Sequence, residues 1–186
     1  MNPFAQIIDI LIGIYITIIL LRFFLQYFRA DFYNPLSQFV VKATDPLVKP
    51  LRKIVPGFGG IDVSTMLLAY LVTLFKFLFI YLVMGQLEFN ILTLALFCIL
   101  ELIKSILMLF MFLIFVRVIL SWISPVGPNP VLAVLGQISE PVVSKFRGLL
   151  PATSGFDLAP MVATLVIFFL YSSINYWIVP LLRYVG

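Results

Sequence analysis

Long apolar runs broken by compact polar stretches dominate the chain. A spanning helix needs about 20 mostly apolar residues, and four stretches supply them. Residues 4–28 carry only Asp9 and Arg22, 63–85 only Lys76, 102–123 only Lys104 and Arg117, and 158–182 no charge at all. The apolar segment 87–100 would make the third run far too long for a bilayer if joined to it. It is therefore expected as a separate short helix lying at the interface. The polar stretches 29–62 and 124–157 are expected as hairpin loops, each joining two spans. The fold class that follows is all-α, a polytopic membrane protein with four transmembrane helices.

A shift of 95 residues lays the chain on itself without a gap. Arg22 falls on Arg117, Asn34-Pro35 on Asn129-Pro130, Pro46 on Pro141, Arg52 on Arg147, Pro56 on Pro151, Gly60 on Gly155 and Asp62 on Asp157. Most of the matched residues are Arg, Pro, Asn, Gly or Asp, which shared greasiness does not explain. The chain thus reads as two copies of helix, hairpin loop, helix, divided at 1–90 and 91–186.

Inside each loop, Asn34 and Asn129 are candidate N-caps, with Pro35 and Pro130 in the first helical position. Leu36, Phe39, Val40 and Ala43 then follow the spacing of one helical face, as do Val131, Val134, Leu135 and Ile138. Asp45 and Glu140 each precede a proline. The first short helix is expected to end there, with the acid capping a second one. The pair is read as an amphipathic hairpin on the membrane surface in preference to a re-entrant one, because Lys42 and Lys49 resist burial in hydrocarbon.

Composition narrows the chemistry. Of 186 residues, 63% are hydrophobic and 11% charged, with no histidine and one cysteine, and mean hydropathy is +1.17. Soluble domains carry about a quarter charged residues. Intramolecular disulfides, histidine triads and histidine metal sites are excluded. Cys98 lies in an apolar run and reads as packing material. The sequence points to no enzyme, no cofactor and no metal.

The net charge of +4 reflects membrane orientation and not nucleic acid. The first loop holds Arg29, Lys42, Lys49, Arg52 and Lys53, and the second Lys145 and Arg147. Cytoplasmic loops collect Lys and Arg, so both hairpins are expected inside and both termini outside, the copies being parallel repeats about an axis along the membrane normal. The N-terminal run lacks a basic leader and a cleavage site, and is read as a retained helix.

The charges within the spans fall into two tiers. Arg22 and Arg117 lie near the hairpin ends of their helices, at the depth of Asp62 and Asp157. They are expected to pair with those aspartates, the rival being that Arg52 and Arg147 take them. Asp9, Lys76 and Lys104 lie roughly 20 Å further along at ~1.5 Å per residue, with Glu101 one turn beyond Lys104. Asp9 and Lys104 are equivalent in the repeat and of opposite sign, so pairing between them is the candidate contact. This cluster reads as a structural network, with a proton or cation path as the alternative. Tyr27 and Trp122 are expected as interface anchors.

The two stretches FLQYFRADFYNPLSQFVVKATDPLVKPLRKIVPGFGGID and VRVILSWISPVGPNPVLAVLGQISEPVVSKFRGLLPATSGFD each resemble one copy of the YggT family of bacterial membrane proteins, also called YlmG-like. The resemblance covers nearly the whole chain, in the two-copy Gram-negative form. One departure is Ser64-Thr65, where the second copy has Ala159-Pro160 and proline is the more familiar residue. The resemblance implies an inner-membrane protein without established enzymatic activity. It also implies diffuse links to osmotic tolerance, cation uptake, cell division and membrane-complex maturation. Two functions fit the residues. One is a scaffold or assembly factor whose basic loops recruit membrane proteins or anionic lipid. The other is an oligomeric cation or osmolyte transport component using the intramembrane charges.

Overall fold

A computed structural model describes residues 3–85, 90–123, 129–149 and 157–180. It contains α1 (Pro3–Tyr27), α2 (Pro35–Ile54), α3 (Val63–Val83), α4 (Ile91–Ile123), α5 (Pro130–Arg147) and α6 (Ala159–Ser173), the last continued by a π-helical turn, Ile174–Ile178. No β-strand is present among the described residues. Four helices are long and apolar enough to cross a membrane: α1, α3, α4 and α6 with its π turn. Their outward faces are large hydrophobics such as Ile10, Phe75, Phe112 and Phe169, the surface a lipid-embedded helix presents.

The two halves make the same internal contacts. α1 packs on α3 and α4 on α6, while α2 lies against α1 and α3 as α5 lies against α4 and α6. Between the halves, equivalent elements meet, α1 with α4 and α2 with α5, and α3 also touches α4. One hydrophobic core runs through both, from Ile16, Leu20, Val40 and Val48 to Leu113, Ile114, Ile138 and Val143. The rings of Phe24 and Phe110 meet edge-on at 4.8 Å across α1 and α4.

Two expectations about helix breaks are corrected. The segment 87–100 is not a separate helix. α4 runs unbroken from Ile91, with Asn90 accepting from the Leu92 and Thr93 amides at its start; residues 87–89 lie outside the described region. Nothing from 91 to 123 is Pro or Gly, and Leu94, Cys98 and Leu102 bury one continuous stripe. At 33 residues α4 is about 50 Å long, so it must tilt or project beyond a ~30 Å hydrocarbon core.

Each hairpin, likewise, holds one helix where two short ones are expected. Pro46 and Pro50 lie inside α2 and Pro141 inside α5. An interior proline removes a backbone donor and disturbs the preceding turn, and in both helices a hydroxyl two residues before the shared proline donates to carbonyls of that turn. Thr44 Oγ1 donates to the carbonyls of Val40 (2.7 Å) and Val41 (3.3 Å), and Arg22 also donates to Val41 O. Ser139, equivalent to Thr44, donates to Leu135 O at 2.7 Å.

The Asn-Pro starts are as expected: Asn34 and Asn129 cap α2 and α5, with Pro in the first turn. Asn34 does more. Its Oδ1 accepts from Leu36 N at 2.9 Å while its Nδ2 donates to Pro130 O, at 2.6 Å, in the other half. It is almost fully buried. Asp31 N also donates to Gln137 Oε1, at 2.9 Å, so the two hairpins are joined at both places. Between α2 and α3, Phe58 and Ile61 exchange two backbone bonds around Gly59 and Gly60, both at positive φ, a tight turn that glycine makes without strain.

Asn34 therefore serves as cap and as clasp, and two substitutions separate the roles. Asn34→Asp keeps the cap oxygen and loses the donor; Asn34→Ala loses both. The thermal unfolding of the purified protein should fall for both, and further for Ala, by about 1 kcal/mol more for the missing cap. Equal loss in the two variants would mean that the cap contributes nothing.

Candidate functional site

The charged side chains gather into two tiers, one at the hairpin end of the bundle and one near the opposite end of the long helices. At the hairpin end the first half centres on Arg22, 6% exposed on α1. Its guanidinium reaches Asp45 Oδ1 at 2.8 Å and Thr44 Oγ1 at 2.7 Å, both on α2. Asp45 also takes Lys49 Nζ at 2.7 Å, one turn on. The hydrogen bond from Lys49 above all, with that from Arg22, holds the Asp45 carboxyl below its ordinary range.

The second half repeats this node. Arg117 on α4 donates to Ser139 Oγ at 3.1 Å and lies 2.8 Å from Glu140 Oε2, an ion pair without hydrogen-bond alignment. Glu140 also takes Arg147. The Arg147 hydrogen bond chiefly, and the nearby Arg117 guanidinium after it, lower the Glu140 carboxyl.

The expected pairing of Arg22 with Asp62 and of Arg117 with Asp157 is therefore wrong, and the rival holds. Arg52 takes Asp62, and Arg147 takes Asp157 at 2.7 Å, which lowers the Asp157 carboxyl. The reason is local. Asp62 is the N-cap of α3, buried, accepting from Thr65 N at 3.2 Å and Thr65 Oγ1 at 2.6 Å. Its carboxylate is spoken for by its own helix and by the end of α2 below it. In the second half Pro160 has no amide to offer, and Asp157 accepts from Ala159 N instead, at 3.0 Å.

Asp45 and Glu140 are the residues that the motif missed. Their sequence signal exists: at the 95-residue offset Thr44 falls on Ser139 and Asp45 on Glu140. Both are conservative pairs that a count of identities passes over. Of the remaining motif residues, Pro56 and Gly60 lie in the α2–α3 loop, and Pro151 and Gly155 lie outside the described residues.

The second tier is brought together from three helices. Lys76 on α3, 3% exposed, lies 3.0 Å from Asp9 on α1 and 2.9 Å from Glu101 on α4. Glu101 in turn holds Lys104 at 3.2 Å. The expected contact between Asp9 and Lys104 does not form. Asp9 pairs with Lys76 across α1 and α3, and the equivalent residues across α4 and α6 are Lys104 and Tyr171, where the ammonium lies 5.8 Å from the ring centroid. The same two positions thus hold a salt bridge in one half and a cation–π contact in the other. Cys98 is buried nearby as a free thiol.

This arrangement can hold helices in register and neutralise charge. Among the described residues no group of His, Cys, Asp or Glu is placed to hold a metal.

The family model for CCB3/YggT matches residues 1–83 and again 96–178, two segments displaced by 96 − 1 = 95 residues. An uncharacterised protein of Pseudomonas aeruginosa is 45% identical over 162 residues, 87% of this chain and 82% of its own. The Escherichia coli K12 protein named "Uncharacterized protein YggT" is 37% identical over 168 residues, 90% of this chain and 87% of its own. A Vibrio alginolyticus protein is 42% identical over 164 residues, 87% and 88%. No solved structure matches the chain.

The ion-pair map makes a quantitative statement about coupling. Asp45→Leu strands the buried Arg22 and should cost roughly 3 kcal/mol, more than Arg22→Leu with Asp45→Leu together. In a double-mutant cycle on thermal unfolding, Arg22 and Asp45 should couple by about 1 kcal/mol or more, while Arg22 and Asp62 should add within about 0.5 kcal/mol. Strong coupling of Arg22 to Asp62 would reverse the assignment.

Proposed function

The chain belongs to the CCB3/YggT family, and on that premise we propose that it is a non-enzymatic scaffold or assembly factor of the bacterial inner membrane. In this reading both hairpins face the cytoplasm and both termini the periplasm. The observation that carries it is the bracing of α2 and α5. Each hairpin helix is tied to its spans through an arginine–carboxylate node and to the other hairpin through Asn34 and Gln137. A platform held this firmly, with one face on the bundle and one face free, suits docking better than gating. Its partners are the lipid bilayer, other membrane proteins and a second copy of the chain. The family-level links to osmotic tolerance, cell division and membrane-complex maturation fit an assembly role.

A transport component is the second reading, and the run Asp9–Lys76–Glu101–Lys104 favours it. Four charged groups connected through contacts of 2.9–3.2 Å cross from α1 to α4. Their signs cancel, which suits a structural network; a path would need an oligomer to enclose it.

The purified chain in liposomes separates the two. The scaffold reading expects cation flux no greater than in empty vesicles. Flux that is abolished by Lys76→Met or Asp9→Asn would establish the transport reading in its place. Reporter fusions after Gly57 and Ala152 should read cytoplasmic and one at Gly186 external, and a cytoplasmic C-terminus would overturn the orientation.

A further inference from the structure

The repeat permits an internal comparison that no single copy offers. α2 and α5 bury the same register: Val40, Thr44 and Val48 in one, Leu135, Ser139 and Val143 in the other. They also expose the same register. On α2 the exposed stripe is Gln38, Lys42, Pro46, Lys49 and Lys53; on α5 it is Ala133, Gln137, Pro141, Ser144 and Gly148. With like placement on the bundle, the two faces differ in chemistry. Three lysines on one stand where Gln, Ser and Gly stand on the other.

That stripe spans 53 − 42 = 11 residues, about 16 Å of helix. Lys42 and Lys49 flank a hollow of about 430 Å³ floored by Asp45 and Pro46. Asp45 does not neutralise the face, because its single charge is already shared between Arg22 and Lys49. Lys42 and Lys53 add uncompensated charge beside it. Phe39 and Leu47, both more than 40% exposed, supply apolar surface next to the cations. Lysine heads over an apolar rim suit the boundary where acyl chains meet phosphate, and a chain with four spans keeps that boundary within reach.

We propose that the Lys42–Lys49–Lys53 face of the first hairpin binds the headgroups of anionic phospholipids, and that the equivalent face of the second hairpin does not. The first copy is the lipid-selective one; in the second, the equivalent positions Gln137, Ser144 and Gly148 carry no charge, Gln137 is engaged with Asp31, and Lys145 is the single lysine beside them. This deepens the scaffold reading and rests on it for the leaflet engaged. Lipid contact itself does not depend on that reading.

The test reconstitutes the full chain in phosphatidylcholine vesicles with a trace of spin-labelled phosphatidylglycerol or spin-labelled phosphatidylcholine. The spectrum gives the fraction of each lipid immobilised on the protein. Wild type should prefer the anionic tracer by about threefold or more, which three lysines near the headgroup plane can supply. The variant K42Q/K49S/K53G, carrying the second hairpin's own residues, should fall to near parity. The reciprocal variant Q137K/S144K/G148K should rise above wild type. Circular dichroism and a monodisperse elution profile establish that each variant folds.

A preference that survives the triple replacement, or none in wild type, overturns the proposal. So does inorganic phosphate that abolishes the preference where chloride at equal ionic strength does not, since the face would then be a site for a soluble anion. Because the vesicles accept both orientations and no partner is present, failure here leaves the scaffold reading intact. A cytoplasmic C-terminus or a cation flux would defeat that reading without touching this one.

Discussion

An ionised side chain in hydrocarbon is expensive unless a counter-charge reaches it, and each cation on the four long helices meets that condition. Arg22 has Asp45, Arg117 has Glu140, and Lys76 and Lys104 share Glu101, with Asp9 completing the set. The tiers lie 22 − 9 = 13 residues apart on α1, about 20 Å, less than the ~30 Å of a hydrocarbon core. Both tiers cannot rest at headgroup level at once in a membrane of ordinary thickness. Pairing is therefore a requirement on the fold, and it decides which helices must touch. Asp45 and Glu140 have to lie against the spans, which draws each hairpin helix onto the bundle.

The repeat shows which parts of this solution are fixed and which drift. An arginine on the first span, a hydroxyl and an acid on the hairpin helix, and an arginine–aspartate pair at its end occur in both halves. At the far end only the need for complementarity persists. Asp9 with Lys76 becomes Lys104 with Tyr171, the cation moving to the other helix. A carboxylate and a π face both attract an ammonium, so either chemistry holds the same two helices together. Lys49 against Ser144 marks another divergence: with no lysine at 144, Arg147 turns to Glu140 as well as to Asp157.

Much of the architecture was legible because burial in lipid demands long apolar runs, and repeats of polar residues are conspicuous among them. The four spans and the Asn-Pro helix starts follow from composition and capping rules that act locally. The partner of Arg22 was not legible in the same way. Matched depth admits Asp45 and Asp62 equally, and only the path of α2 across α1 distinguishes them. That path depends on α2 staying helical through Pro46, with Arg22 and Thr44 both donating to Val41 O in the turn before it. Reading each proline as a stop divided the helix and so misplaced the acid. The break expected before residue 102 failed for a related reason. Bilayer thickness limits how much of a helix is embedded and does not limit how far it extends.

The pairing of Arg22 is the contact on which this account turns, and solid-state NMR of the full chain in lipid bilayers measures it directly. With guanidinium nitrogen-15 on arginine and carboxyl carbon-13 on aspartate, the contact assigned to Arg22 should disappear in Asp45→Asn and persist in Asp62→Asn, while the contacts of Arg52 with Asp62 and of Arg147 with Asp157 remain in Asp45→Asn. A contact from Arg22 that instead vanishes with Asp62→Asn would contradict the arrangement of the hairpin end.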